Sequence, residues 1–423
     1  MNYFLLLAPP LLCAVTFAQL ALVETGRLSL HWFVPVGVLA GCTGVSAWVL
    51  HRQLPRHDRL LLPLVSMLVG LGLVLVARLA PPTFLTRQLA WLVLGSVAMV
   101  LVAVVPRQLR WLRRYRYTWL LAGLGLLLLT LVLGVNPSGA GARLWLGLGG
   151  FYFQPSELLK LLLIVFLASY LSERQQALVE VELRLGRWRL PHPAHLGPLL
   201  LMWGFSLVLL VWQRDLGAAL LFFGVFLAML YAATGQGRYV LVGLHLLGLA
   251  SALGYYLFDH VALRVDAWLN PWSEASGRSF QIVQSLLALA SGGVLGQGLD
   301  QGLPTAIPVV HTDFVFAAIG EELGLLGALG VLICLALLIG RAFRVALRAR
   351  RPFDQLLAAG IATLLSLQSL VIIAGTLKLI LLTGVTLPFV SYGGSSLLVS
   401  MIMVGLLLHI SDRAAGMPSA VSR

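Results

Sequence analysis

Charge is scarce in this chain. Asp, Glu, Lys and Arg make up 11% of its 423 residues, while hydrophobic residues make up 59% and the mean hydropathy is +0.94. A soluble protein of this length could not bury so much apolar side chain, which leaves an all-α polytopic membrane protein. Lysine is rarer still: Lys160 and Lys378 stand against 27 arginines. The three cysteines (Cys13, Cys42, Cys334) fall in apolar runs and offer neither a disulfide framework nor a metal-ligand spacing. No repeat and no low-complexity linker divides the sequence, so it reads as one membrane domain with no soluble domain attached.

What the chain has in abundance is apolar length. A hydrocarbon core of about 30 Å needs about 20 apolar residues per helix. That rule gives twelve spans, near 3–23, 31–50, 60–78, 87–105, 117–135, 157–172, 196–212, 216–234, 238–258, 313–340, 353–375 and 386–410. The first span lacks a basic leading region and a small-residue cleavage site, so it is expected to be a retained helix.

The net charge of +13 does not signal a nucleic-acid partner, because the basic residues are sorted by side. With the N-terminus in the cytoplasm, 20 of the 29 Lys and Arg lie in inside connections and 8 outside, with Lys160 within a helix. This is the positive-inside bias, and it puts both termini in the cytoplasm and the longest loop, 259–312, outside the cell. Within that loop, 279–291 is apolar but too short to span, which suits an interfacial or re-entrant helix. The Gly- and aromatic-rich segment 136–156 belongs to the same outer side.

Against this apolar background the ionisable residues stand out, since charge inside a membrane span is costly. His311-Thr312-Asp313-Phe314 opens a long apolar helix, with Thr312 as the expected N-cap and Asp313 in the first turn. Asp313 is then either an acid stabilising a helix start or a carboxylate able to take a proton from a hydroxyl or hold a divalent cation. His311 beside it could tune that charge. Glu321 and Glu322 follow about 12 Å deeper, at 1.5 Å of rise per residue. Being adjacent, they point apart and cannot share one partner.

A second cluster is Gln154-Pro155-Ser156-Glu157 with Lys160, where Glu157 and Lys160 share a helix face. Lys160 either snorkels to the interface or forms a buried pair with Glu157. Asp215 closes a very short turn and is placed to cap the next helix, while Arg214 and Arg143 are candidate diphosphate contacts because a guanidinium binds phosphate bidentately. Leu387-Pro388-Phe389 through Ser391, Ser395 and Ser396 is expected to open the last span, with Pro388 in its first turn and Lys378 just before it. Asp313 is the only candidate metal ligand, and no helical ligand spacing supports it.

Taken in order, these motifs, with Asp215-Leu216-Gly217, Ala267-Trp268-Leu269, Gln281 with Gln284 and Ser285, and Gly320-Glu321-Glu322-Leu323-Gly324, resemble the SEDS (shape, elongation, division and sporulation) family of RodA- and FtsW-like proteins over about residues 60–410. The resemblance implies a peptidoglycan glycosyltransferase that polymerises lipid II at the outer face of the cytoplasmic membrane of a bacterium. It implies an essential loop carboxylate matching Asp313, an intramembrane pair matching Glu157 and Lys160, and a class B penicillin-binding protein, a transpeptidase, as partner. It also implies a core of about ten helices over 59–412, preceded by two extra ones in 1–58 and followed by a cytoplasmic tail at 413–423. Arg214 stands where the family usually has Pro, Ile372 where an Asn is common and Leu381 where a Pro is usual. With Lys378, these departures look like the RodA-like branch of high-GC bacteria.

On this reading Asp313 is the catalytic base, and Arg143, Arg214, Lys378, His311, Gln154, Ser391, Ser395 and Ser396 line the substrate. Glu157, Lys160, Asp215, Glu321 and Glu322 form an intramembrane charge network, and Mg²⁺ or Mn²⁺ assists. A carrier or lipid-precursor flippase, a division-specific (FtsW-like) polymerase and a scaffold that only recruits a partner are the rivals. A carrier would be expected to show inverted repeats and broken mid-membrane helices.

Overall fold

In a computed structural model of the chain, residues 3–106, 109–136, 143–148, 151–180, 182–185, 188–191 and 193–416 are described. The helices run α1 (Tyr3–Thr25), α2 (Val34–Gln53), α3 (Leu61–Leu79), α4 (Pro82–Val104), the single turn α5 (Arg110–Arg114) and α6 (Arg116–Leu133). A hairpin of β1 (Leu146–Leu148) and β2 (Phe151–Phe153) leads into α7 (Pro155–Glu180). A second hairpin, β3 (Glu182–Leu185) and β4 (Trp188–Pro191), precedes α8 (Pro193–Trp212), α9 (Leu216–Thr234), α10 (Gly237–Leu257), α11 (Asp259–Leu269) and α12 (Phe280–Gly292). The chain closes with α13 (Val315–Arg348), α14 (Pro352–Thr376) and α15 (Gly394–Gly416).

Among the described residues, 11 helices are long and apolar enough to cross a membrane. The remaining expected span is α8, 20 residues long with an apolar run from Leu200 to Trp212. The chain is thus a multi-pass α-helical membrane protein. The two small antiparallel hairpins were not anticipated from the sequence; β1 and β2 pair Leu146 with Phe153, and a bridge from Val135 to Trp145 extends the pairing.

Helices α3, α7, α14 and α15 form the buried centre, whereas α10 is almost wholly exposed to the surroundings. Helices α1 and α2 pack on α3, where the Thr43 and Ser66 hydroxyls meet at 3.1 Å and Cys13 Sγ donates to the Gly70 carbonyl at 3.8 Å. On α3, Gly72 lets a loop backbone touch the helix: a Cβ there would lie 2.6 Å from the Val390 carbonyl oxygen. Small residues permit such approaches between apolar helices.

Two helix starts differ from the sequence expectation. Helix α13 begins at Val315, not at residue 313, because the Thr312 hydroxyl donates to the Val309 carbonyl (2.9 Å) instead of capping the helix. Asp313 therefore sits in a turn ahead of the helix. Helix α15 begins at Gly394, not at 386, so Pro388 lies in a loop. That loop is spoken for elsewhere: Ser391 Oγ donates to the Thr312 carbonyl (2.6 Å), and the Tyr392 N–H donates to the His311 carbonyl (2.9 Å).

Helix α13 is also broken. Gly324 takes φ 65°, ψ −167°, a conformation that essentially only glycine adopts. The backbone groups freed by the break are taken up by the segment after α12. The Gln297 and Gly298 N–H groups donate to the Glu321 and Glu322 carbonyls (2.9 and 3.0 Å), and Leu325 and Leu326 donate to Gly293 and Val294 (3.0 and 3.2 Å). Non-helical backbone among spanning helices is tolerated when protein partners satisfy it in this way.

Candidate functional site: a carboxylate held at one end of the bundle

Three stretches meet around Asp313. The 309–314 turn supplies His311 and Asp313, the 377–393 loop supplies Gly384, Ser391 and Tyr392, and α11 is bonded to that loop. The Asp313 Oδ2 lies 3.5 Å from where a Cβ on Gly384 would stand. The Trp268 indole N–H on α11 donates to the Lys378 carbonyl (3.1 Å), tying α11 to the loop. From the same helix Arg264 acts electrostatically on Asp313. Lys378 (φ 58°) and Phe389 (φ 67°) hold left-handed backbone conformations, a strain that tends to collect at functional sites.

The Asp313 carboxyl is half-buried, and burial pushes its pKa up to about 6, while the neighbouring Thr312 hydroxyl and the Arg264 charge draw it partly back down. Burial lowers the pKa of His311. An aromatic cluster backs the site: the rings of Phe84 and Tyr392 stand 4.7 Å apart, Phe84 and His311 5.3 Å, and His311 and Tyr392 5.7 Å. The Arg87 guanidinium lies 5.9 Å over Phe84 and 6.0 Å over Tyr152, and its charge acts on the Tyr392 hydroxyl.

A second polar group is built on α7. Gln154 Nε2 donates to Ser156 Oγ (3.0 Å), which donates to Asp215 Oδ2 (3.0 Å); Asp215 Oδ1 accepts the Ala218 N–H (3.1 Å), capping α9 as expected. Burial raises the Asp215 carboxyl against these bonds. One turn on, Lys160 Nζ pairs with Glu157 at 2.8 Å and, only 3% exposed, does not snorkel. The same ammonium donates to Gln368 Oε1 on α14 (3.3 Å).

Gln368 joins the two groups. Its Nε2 donates to the Thr386 carbonyl (2.8 Å), the Thr386 and Ser396 hydroxyls meet at 2.9 Å, and the Leu387 N–H donates to Ser391 Oγ (2.9 Å). Through Ser391 and Thr312 the path ends next to Asp313. Ser391, Ser396, Glu157, Lys160 and Asp215 therefore belong to one connected structure, and Ser395 is buried beside it.

The structure does not bring every expected residue here. Arg143 and Arg214 are exposed, and among the described residues neither forms an ion pair; Arg214 occupies the Gln213–Asp215 turn with φ 62°. Glu321 and Glu322 are not part of the Lys160 network. Glu322 pairs with Arg78 of α3 (3.1 Å), which also holds Asp300 (2.6 Å), and Glu321 accepts the Leu303 N–H (2.9 Å). These two acids pin the 293–303 segment against the break in α13. One oxygen of each is buried without a partner among the described residues.

Sequence reasoning missed Arg264, Gln368 and Arg78, and read Thr386 only as the opening of the last span. Gln368 carried a signal, as a lone amide in an apolar run; Arg264 carried none beyond its charge. No group of three His, Cys, Asp or Glu residues suited to a metal occurs among the described residues. A divalent ion at Asp313 would thus draw most of its oxygen ligands from a substrate, which suits Mg²⁺ better than an all-protein cage.

Fold and site together define a polytopic helical membrane protein that offers a half-buried, weakly acidic carboxylate at one end of its bundle. Residues 59–415 match the model of the FtsW–RodA–SpoVE cell cycle protein family, and the chain belongs to that family. It is 38% identical over 421 residues to the peptidoglycan glycosyltransferase RodA of Mycobacterium tuberculosis, covering 96% of this chain and 90% of that one. It is 38% identical over 383 residues to the probable peptidoglycan glycosyltransferase FtsW of Geobacter sulfurreducens, covering 87% and 98%. Among solved structures it superposes with a TM-score of 0.71 and 32% identity on a chain from a peptidoglycan synthase complex that coordinates polymerization and crosslinking, covering 85% of this chain and 98% of that one. The rod shape-determining protein RodA of Thermus thermophilus follows with a TM-score of 0.61 and 30% identity, covering 86% and 98%.

Proposed function

We propose that this chain is a peptidoglycan glycosyltransferase that polymerises the lipid-linked disaccharide lipid II at the outer face of the bacterial cytoplasmic membrane. The observation that carries the reading is Asp313, a carboxyl with its pKa up to about 6 in a turn ahead of α13, in a chain that shares most of its length with such enzymes. The arginine bias supports the orientation, with both termini in the cytoplasm and Asp313 outside.

The acceptor's sugar 4-hydroxyl attacks the anomeric carbon of the donor glycan. The new C–O bond forms as the bond to the polyprenyl diphosphate breaks, and the diphosphate leaves with the electron pair. Asp313 takes the hydroxyl proton, for which a carboxylate with a raised pKa is better matched than an ordinary one. Arg264, whose charge acts on Asp313, and Lys378, on the loop that carries Gly384, would meet the diphosphate charge. Asp313 would be the residue to hold a Mg²⁺ or Mn²⁺ ion, which would supply charge neutralisation to the departing diphosphate. Ser391, Thr386 and the Glu157–Lys160–Gln368 group fix the loop geometry. A class B penicillin-binding protein is the expected partner, cross-linking the strands, and the RodA relatives favour a role in elongation.

The test is polymerisation of lipid II by the purified protein, with and without divalent cation and transpeptidase, alongside Asp313→Ala. Long glycan strands that vanish in the variant, with the protein still folded, support the reading. Strands of normal length from Asp313→Ala would remove the base assignment, and lipid movement without strands would return the flippase.

A further inference from the structure

At the end of the bundle opposite Asp313, arginines from distant parts of the chain converge on one cavity. It measures about 480 Å³ and is lined by Arg110 and Arg113 of α5, Arg351 ahead of α14, and Arg413 and Asp354 of α15 and α14. The sorting of basic residues toward one side requires arginines at that face but not their convergence, which costs repulsion. The local acids do not offset them. Asp354 is taken by Arg413 (3.6 Å), and Glu173 by Arg116 (2.5 Å) and more loosely by Arg113 (3.8 Å). Neither Arg110 nor Arg351 has an acid within ion-pair distance among the described residues.

We propose that this cavity binds the phosphodiester headgroup of an anionic phospholipid of the cytoplasmic leaflet. A guanidinium fork matches two phosphate oxygens, and several forks around one cavity suit a phosphate better than a carboxylate. A second cavity of about 510 Å³ shares Arg110 and Arg113 and adds Arg114, Trp111, Tyr115 and the already paired Glu173. The exposed Trp111 ring stands 5.1 Å from Trp119, and Tyr115 is exposed with Arg114 5.7 Å above its ring. Aromatic side chains of this kind mark headgroup depth, which favours a lipid over a soluble phosphate, and basic pockets at this level are suited to anionic lipids. The placement in the cytoplasmic leaflet rests on the orientation given above, but the binding does not rest on polymerase activity.

Native mass spectrometry of the detergent-purified full chain, titrated with phosphatidylglycerol or phosphatidylcholine, tests the site. Phosphatidylglycerol should be retained preferentially, and Arg110→Gln with Arg351→Gln should weaken it by about 30-fold, taking about 1 kcal/mol per arginine at 1.4 kcal/mol per tenfold. Arg110→Lys with Arg351→Lys, which keeps the charge and removes the forks, should fall in between and serves if the Gln pair does not fold. Arg27→Gln, remote from the cavity, should change nothing. Equal retention of the two lipids, or undiminished binding by a folded Gln or Lys pair, would overturn the site. Ready displacement by millimolar inorganic phosphate would assign the cavity to a soluble anion and overturn the lipid.

Discussion

Acidification should silence the enzyme through Asp313 long before it unfolds the protein. With a pKa of about 6, the base is about 90% ionised at pH 7, half at pH 6 and about 9% at pH 5, so the polymerisation rate should fall about fivefold from pH 6 to pH 5 and about tenfold per unit below that. An unburied aspartate would place this limb about two units lower. The sign for stability is opposite. A carboxyl whose pKa is higher folded than unfolded takes up a proton on folding, so this group makes the folded state more stable as pH falls from about 6 toward 4. Loss of rate at pH 5 with a thermal midpoint that does not fall is therefore the expected pair of results. The Arg264 charge favours the ionised form, so Arg264→Ala should move the limb to higher pH. The assay is initial-rate polymerisation of lipid II from pH 4.5 to 8 for both proteins, with Asp313→Asn as a zero that should lie about 100- to 10,000-fold below the parent. A profile flat from pH 5 to 7, or a limb that Arg264→Ala leaves in place, would refute the reasoning.

Three further outcomes follow from the packing. Lys160→Met leaves Glu157 buried without its 2.8 Å partner and should cost about 3–5 kcal/mol, measured by denaturant unfolding in detergent, whereas Glu157→Gln with Lys160→Met should recover most of it. Gly324→Ala puts a side chain where φ is 65° and where the Gly296 N–H already sits, and should cost at least about 3 kcal/mol in the same assay. Gln368→Leu cuts the path from Lys160 to Thr386, and strand synthesis should fall more than thermal stability does; equal loss of both would make Gln368 merely structural.

Much of the fold was legible because a membrane span is a local signal: about 20 apolar residues announce themselves whatever surrounds them. The capping of α9 by Asp215 and the Glu157–Lys160 pair were equally local, at three residues' separation. The starts of α13 and α15 were misplaced for the converse reason. Thr312 and Pro388 are good helix-start residues, but the backbone they belong to is engaged by bonds between segments about 80 residues apart, from Ser391 to Thr312 and from Tyr392 to His311. The acids of α13 were recognised as needing partners, yet Arg78 lies 244 residues from Glu322, and no spacing rule reaches that far. Gln368 was overlooked because its importance lies in touching both Lys160 and Thr386, which only the packed bundle shows.

The ion pair between Arg78 and Glu322 also constrains how the protein is made. Helix α3 emerges from the ribosome well before α13, so the guanidinium is already in the bilayer when a helix carrying two adjacent acids comes to be inserted. A buried acid weighs against membrane partitioning on its own, and the first turns of α13, ahead of the break at Gly324, carry two. Docking of those first turns would thus wait on α3, with the 293–303 segment arriving just ahead to receive them. A defect on α3 should surface not where it lies but as a late helix whose first turns fail to dock, leaving two acids without their partners.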